Sequence, residues 1–284
     1  RQATTTCRAV HESLDHKSKR GDDVSQDARF LFGKNWARFL RHLTEERIVH
    51  AQKSLLETIG KDALTGKEFL DIGCGSGLFS LAARRLGAKV TSFDYDVDSV
   101  KCAQYLKERF YPGDSQWTIM QGSILDPVFM EKLGRFDVVY AWGVLHHSGD
   151  QWKGFVHALS ATRPEGRLLV ALYNDQGWVS QYWKAVKWLY IHVPVIRPLL
   201  IAFYAPYFIG LRWCVRLFRR QQIHDRGMSL WYDMIDWLGG WPFEVAAPKD
   251  VLARGADQGF QTTCVKTVGH RQGCNEFILV QKLR

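Results

Sequence analysis

Glu68-Phe69-Leu70-Asp71-Ile72-Gly73-Cys74-Gly75-Ser76-Gly77-Leu78-Phe79 decides the fold. Its first five residues are a short, mainly apolar run that reads as a strand, and a glycine-rich turn follows. Leu78, Phe79, Leu81, Ala82 and Leu86 then recur at helical spacing until Gly87 ends the pattern. Glycines at such a strand-to-helix turn let backbone N–H groups approach a ligand, and the helix N-terminus adds positive potential. The spacing is Asp-x-Gly-x-Gly-x-Gly. A dinucleotide loop of the form Gly-x-Gly-x-x-Gly would need glycine at position 78, which is Leu, and no Lys-Ser/Thr pair follows as a P-loop requires.

Outward from that turn, strands and helices alternate. Lys89 to Phe93 reads as a second strand ending at Asp94, Ser99 to Phe110 as a helix, Trp117 to Met120 and Phe136 to Trp142 as strands three and four. Ala158 to Thr162 reads as the end of a helix before Pro164 and Gly166, and Arg167 to Leu172 as strand five. Such alternation implies an α/β fold: a mostly parallel sheet covered on both faces, with ligands at the carboxyl ends of its strands. Near the C-terminus, Thr262 to Val268 and Phe277 to Leu283 form a hairpin around 269–273.

The chain has 284 residues, 46% of them hydrophobic and 24% charged. That composition excludes a disordered, collagenous or small disulfide-bonded protein. Five segments are expected: a polar mobile arm at 1–27, a helical extension at 28–66, the alternating core at 67–175, an insertion at 176–240, and the completion of the sheet at 241–284. In the extension, Thr44 suits an N-cap, with Glu45 and Glu46 in the first turn and Gly60 as the stop. The six cysteines show no Cys-x-x-Cys spacing, so reduced thiols, no metal and a cytoplasmic setting are expected.

Two acidic positions carry a family resemblance. Asp71 opens the glycine turn, and Asp94 in Ser92-Phe93-Asp94-Tyr95-Asp96 closes strand two, 17 residues beyond Gly77. With these, residues 67–172 resemble the class I S-adenosylmethionine-dependent methyltransferases. The resemblance implies a Rossmann-like, doubly wound sheet and S-adenosylmethionine as cofactor, with S-adenosylhomocysteine as product. It places Asp71, Gly73, Cys74, Gly75 and Gly77 beside the methionine part, and Asp94 with Tyr95 at the ribose. Gly122, Ser123 and Ile124 fall at the adenine, where many relatives carry Asp at the position of Ser123. Trp142 ends the fourth-strand motif, and Val144-Leu145-His146-His147 follows it much as in the quinone-biosynthesis branch. Phe30 to Trp36 and Met228 to Trp237 are also similar to segments of bacterial methyltransferases.

The chemistry implied is in-line methyl transfer, in which the protein supplies proximity and orientation. A base is needed only for an acceptor that arrives protonated. His146 and His147, just past strand four, and Tyr173, just past strand five, are the candidates for catalysis. Asn174, Phe32, Trp36, Trp231 and Tyr232 are candidates for the acceptor pocket, and Asn174 is equally well explained as a turn residue.

The insertion concentrates charge. No acidic residue occurs between Gln176 and His224, while Lys184, Lys187, Arg197, Arg212, Arg216, Arg219 and Arg220 supply seven of the net +9 charges among many aromatics. Its prolines and central Arg disfavour one spanning helix. A cap of broken helices closing over the acceptor is the leading reading; a segment lying on anionic lipid, or an ordinary second core with a solvated basic face, are the others. The expected function is methylation of a small aromatic or lipid-like acceptor. The alternatives are a non-catalytic cofactor-binding scaffold and an RNA methyltransferase, the latter without any RNA-binding signature.

Overall fold

The computed structural model describes residues 32–60, 64–211 and 230–281, so the arm expected at 1–27 lies outside the described residues. Seven strands form one sheet: β1 (Glu68–Ile72), β2 (Lys89–Asp94), β3 (Trp117–Gln121), β4 (Phe136–Trp142), β5 (Thr162–Tyr173), β6 (Phe260–Lys266) and β7 (Cys274–Gln281). Their order is β3-β2-β1-β4-β5-β7-β6. β1 to β5 run parallel, and β7 is antiparallel to both β5 and β6. The order reverses between β1 and β4, which places the ligand crevice of a doubly wound sheet at their carboxyl ends.

Alternate residues of the central strands enter two separate cores, as the strand period of two requires. Leu70, Ile72, Val139 and Ala141 face one side with Phe155. Phe69, Val138 and Tyr140 face the other, where α1 (Gly33–Arg41), α2 (Glu45–Ile59) and α3 (Leu78–Arg85) lie. Three loops turn into helices through aspartate caps: Asp96 before α4 (Val97–Phe110), Asp126 before α5 (Pro127–Leu133) and Asp150 before α6 (Gln151–Ser160). Each accepts first-turn amides and suits the positive helix end.

Two local expectations change. Thr44 stands at the N-cap of α2 without a side-chain cap bond. Thr162 starts β5 rather than ending a helix, because it pairs with Phe136; a register shift then skips to Arg167 opposite Val138. Residues 163–166 therefore stand outside that ladder, and Pro164, which has no N–H to give, is tolerated there.

After β5 the chain leaves the sheet. It forms α7 (Trp178–His192), α8 (Arg197–Ala205), a π-helical turn (Pro206–Leu211) and α9 (Leu230–Gly239), then returns through α10 (Pro248–Asp257) to β6. This insertion has its own core, built from Trp183, Val186, Tyr190, Tyr204, Met234 and Leu238 among others.

Candidate functional site

The glycine turn is positioned by β1 and β2. Gly73 and Cys74 donate their amides to the Phe93 carbonyl at 2.8 and 3.0 Å, and Gly77 donates to Cys74 at 2.8 Å. Gly75 donates to Asp94 Oδ2 at 2.9 Å. These amides are thus engaged inside the protein, and what the glycines provide is close approach. Gly73 has φ of +65°, and a β-carbon there would lie 1.9 Å from Val144 Cγ2. At Gly75 a β-carbon would meet the Trp36 indole at 2.9 Å, so Trp36 lies directly against the turn.

The two acids differ. Asp71 is buried and accepts from the Ser80 hydroxyl at 2.5 Å, tying β1 to α3. Its carboxylate is thus held by α3. Burial, reinforced by the Asp94 charge, pushes its pKa up to about 7. Asp94 instead faces the turn: Oδ2 accepts from Gly75, and Oδ1 accepts from the Asp96 amide at 2.9 Å. Burial raises it to about 6. Cys74 is buried and its thiol is pushed well up by burial and the neighbouring carboxylates, which keeps it protonated and poorly nucleophilic.

Tyr95 is exposed at the same end of the sheet and accepts from Gln121 Nε2 at 3.2 Å. Gly122 lets the Phe129 ring come within 2.1 Å of where a β-carbon would stand. The Ser123 hydroxyl accepts from the Leu125 amide at 3.2 Å and so shapes the turn into α5. Ile124 is buried, with its carbonyl on His157 Nδ1 at 2.6 Å. Trp142 stacks on Tyr140, centroids 5.5 Å apart, on the sheet face of α3.

His146, His147 and Tyr173 do come together. The Tyr173 ring is 3.7 Å from that of His146 and 5.4 Å from that of His147. His146 is buried with no partner for Nδ1, and burial drives its pKa well below the ordinary value. His147 Nδ1 lies 2.7 Å from the Pro242 carbonyl. A carbonyl only accepts, so Nδ1 carries the hydrogen and Nε2 keeps its lone pair. Burial and the charge of Lys187 push His147 down to about 3, so the ring is neutral at physiological pH.

Lys187 is the residue that sequence reasoning misassigned. Counted among the basic residues of the insertion, it is 0% exposed. Its ammonium donates to the Trp237 carbonyl and stands 4.2 Å from the Trp237 ring and 4.9 Å from the Phe243 ring. Burial lowers it to about 7, against the pull of Asp236. A β-carbon on Gly240 would sit 3.0 Å from His147 Cε1 and 3.4 Å from Lys187 Nζ, which shows how closely the two groups share this corner. The only sequence signal for it was its helical spacing with the buried Ser180, Trp183 and Tyr190.

α1 straps this end of the molecule. Phe32 packs on His147 at 5.2 Å, Gly33 donates to Asp96 at 2.7 Å, Asn35 bonds Asp236, and Trp36 covers Gly75. Phe32 and Trp36 are four residues apart, about 6 Å of helical rise, so His147 and the glycine turn are near neighbours. Trp231 is exposed on α9, and the Tyr232 side chain lies outside the described residues. Asn174 clamps the hairpin loop: its amide donates to Gly269 at 2.7 Å, and its oxygen accepts from Asn275 at 2.9 Å. Among the described residues no cluster of His, Cys, Asp and Glu could hold a metal ion.

The family described as a methyltransferase domain matches residues 39–222. The ubiquinone biosynthesis O-methyltransferase of Methylobacterium nodulans is 31% identical over 143 residues, 48% of this chain and 55% of that protein. The ribosomal protein L11 methyltransferase of Helicobacter hepaticus is 31% identical over 127 residues, 41% of this chain and 39% of its own. The chain thus spans about half or less of the length of these curated relatives. Among solved structures, magnesium protoporphyrin IX methyltransferase from Synechocystis PCC 6803 with bound S-adenosylhomocysteine has a TM-score of 0.50 at 14% identity, covering 97% of this chain and 95% of that one. That likeness is one of fold.

Proposed function

This chain belongs to the class I S-adenosylmethionine-dependent methyltransferases, and from that premise we propose that it methylates a small aromatic or lipid-like acceptor beside His147. When bound, the cofactor supplies a methyl carbon already activated by a sulfonium. The residues present fit it. Asp94 is oriented by the Gly75, Asp96 and Tyr95 amides, and its carboxylate, with about four lone-pair sites, keeps acceptor capacity for the ribose hydroxyls. Gly73, Gly75 and Gly77 would let the methionine part lie against the turn, with Tyr95, Gly122, Ser123, Ile124 and Trp142 toward the adenine. Asp71 acts indirectly, by fixing α3 through Ser80.

One observation carries the acceptor reading: the neutral His147 imidazole is held in a fixed tautomer among aromatic rings, Phe32 and Tyr173, rather than in an open basic groove. Such an enclosure suits a flat or apolar molecule and excludes water. Nε2 would hydrogen-bond the hydroxyl of a phenol-like acceptor and take its proton only as the new oxygen–methyl bond forms, when that oxygen becomes strongly acidic; a carboxylic acceptor arrives ionised and needs no base, and Tyr173 would orient either. Lys187, beside His147, keeps the imidazole uncharged and is a positioning residue. This enclosure supports a small-molecule acceptor over RNA.

Calorimetric titration with S-adenosylmethionine and S-adenosylhomocysteine, on the chain and on Asp94→Ala, tests the cofactor site. A screen of phenols, quinone precursors and lipid-like acids for S-adenosylhomocysteine release tests the acceptor class. Turnover on RNA with none on these compounds would overturn the acceptor reading and leave the cofactor site intact. On a turned-over acceptor, His147→Gln should lower kcat about a hundredfold with little change in KM.

A further inference from the structure

Helices turn their apolar stripe toward a core; α8 turns it outward. Of its residues only Tyr204 is buried. Leu199, Ala202, Phe203, Pro206 and Tyr207, at the spacing of one helical face, are exposed, with Leu199 and Phe203 at 70% and 72% and Val195 before them at 80%. α7 contributes Trp178, at 79%, and Trp188 to the outside while its Ser180, Trp183 and Lys187 face in. Eight of the fifteen exposed large apolar side chains among the described residues fall in this one segment. A concentration of that kind marks a binding surface.

We infer that the outward face of α7 and α8 docks this protein on an anionic lipid surface. No single described helix is long and apolar enough to cross a membrane, and the two helices, apolar enough only as a pair, are bent by 107°. They are shaped to lie along a surface. Charge names the occupant. The segment lacks any carboxylate from 177 to 223 and carries the exposed Lys184. Arg197 sits at the bend, its guanidinium on the Tyr190 and Ile191 carbonyls at 2.6 and 2.9 Å. The stripe itself offers no polar side chain except the Tyr207 hydroxyl, whereas a protein partner of ordinary size would demand a hydrogen bond per roughly 100–200 Å². An apolar face with Trp and Tyr at its margins and only positive charge beside it matches the interfacial layer of an anionic bilayer. The inference holds for whatever acceptor the site takes.

The test is flotation of the full chain with phosphatidylcholine vesicles, with and without phosphatidylglycerol, at low and high salt. The chain should float with the anionic vesicles, less so as salt rises. Leu199→Glu with Phe203→Glu should weaken partitioning on the order of a hundredfold, with circular dichroism and S-adenosylhomocysteine affinity unchanged. No association at low salt would overturn the inference, as would flotation unaltered in the double variant. Sedimentation showing a dimer that the same variant dissolves, without vesicle binding, would assign the face to a second copy of the chain instead.

Discussion

In the sheet, neighbouring residues divide between two dry cores: Phe69 and Val138 to one side, Leu70 and Val139 to the other. In α8, a run no less apolar leaves Leu199 and Phe203 in solvent and buries Tyr204. The reverse holds for charge. Around the glycine turn the acids are held by backbone amides and a serine, as the strand ends dictate. In α7 the one fully buried charge, Lys187, is held by a carbonyl and two aromatic faces of α9 and its following loop. Residue type predicts burial where a strand is packed on both faces; on a helix that is apolar all round, the partner decides.

Five measurements would break or sharpen that contrast. The largest effect is expected on the sheet side, where Gly73→Ala places a β-carbon onto Val144 at a positive φ and should cost about 3 kcal/mol in urea unfolding. Asp94→Ala should weaken S-adenosylhomocysteine binding about a hundredfold by calorimetry, since charge-assisted hydrogen bonds are lost.

On the insertion side, Lys187→Met tests the buried charge. The folded-state pKa of Lys187 is lowered from 10.5 to about 7, so the penalty of burying its charge is complete below pH 7 and fades as pH rises toward 10.5. The stability of the methionine variant relative to the parent should accordingly fall by about 2.7 kcal/mol between pH 6 and pH 9. A pH-independent difference would return Lys187 to an ordinary packing role.

Asp94, raised to about 6 by burial, gives a smaller effect. A ligand that donates hydroxyls prefers its ionised form, so S-adenosylhomocysteine affinity should fall as pH drops below about 6, by up to about tenfold per unit. Asp94→Asn should remove that slope. Smallest is Trp36→Ala, which uncovers Gly75 and should change cofactor affinity and acceptor KM by about threefold, near the weight of one aromatic contact. Unchanged values would leave α1 as scaffold alone.

Much of the site was legible beforehand. β1, β4 and the chain positions of Asp94 and the glycine turn follow from period-two runs ended by turn residues, which are local signals. His146, His147 and Tyr173 were found together because strands four and five are neighbours whose ends coincide. Asn174 was not legible as a hairpin clamp, since its partners Gly269 and Asn275 lie about a hundred residues away. Ser80, the true partner of Asp71, is a small residue within a helical stripe and carried no signal of its own.

What the amino-acid order determined by itself was the alternation of strand and helix, the glycine turn, and the acid at the end of β2, because each rests on contacts a few residues apart and on steric rules of the backbone. The tertiary structure decided which face of the insertion is buried, that Lys187 is inside while Leu199 and Phe203 are outside, and that the His147 tautomer is fixed by a carbonyl from residue 242. Those outcomes depend on which surfaces meet across long stretches of chain, and helical periodicity alone does not record that.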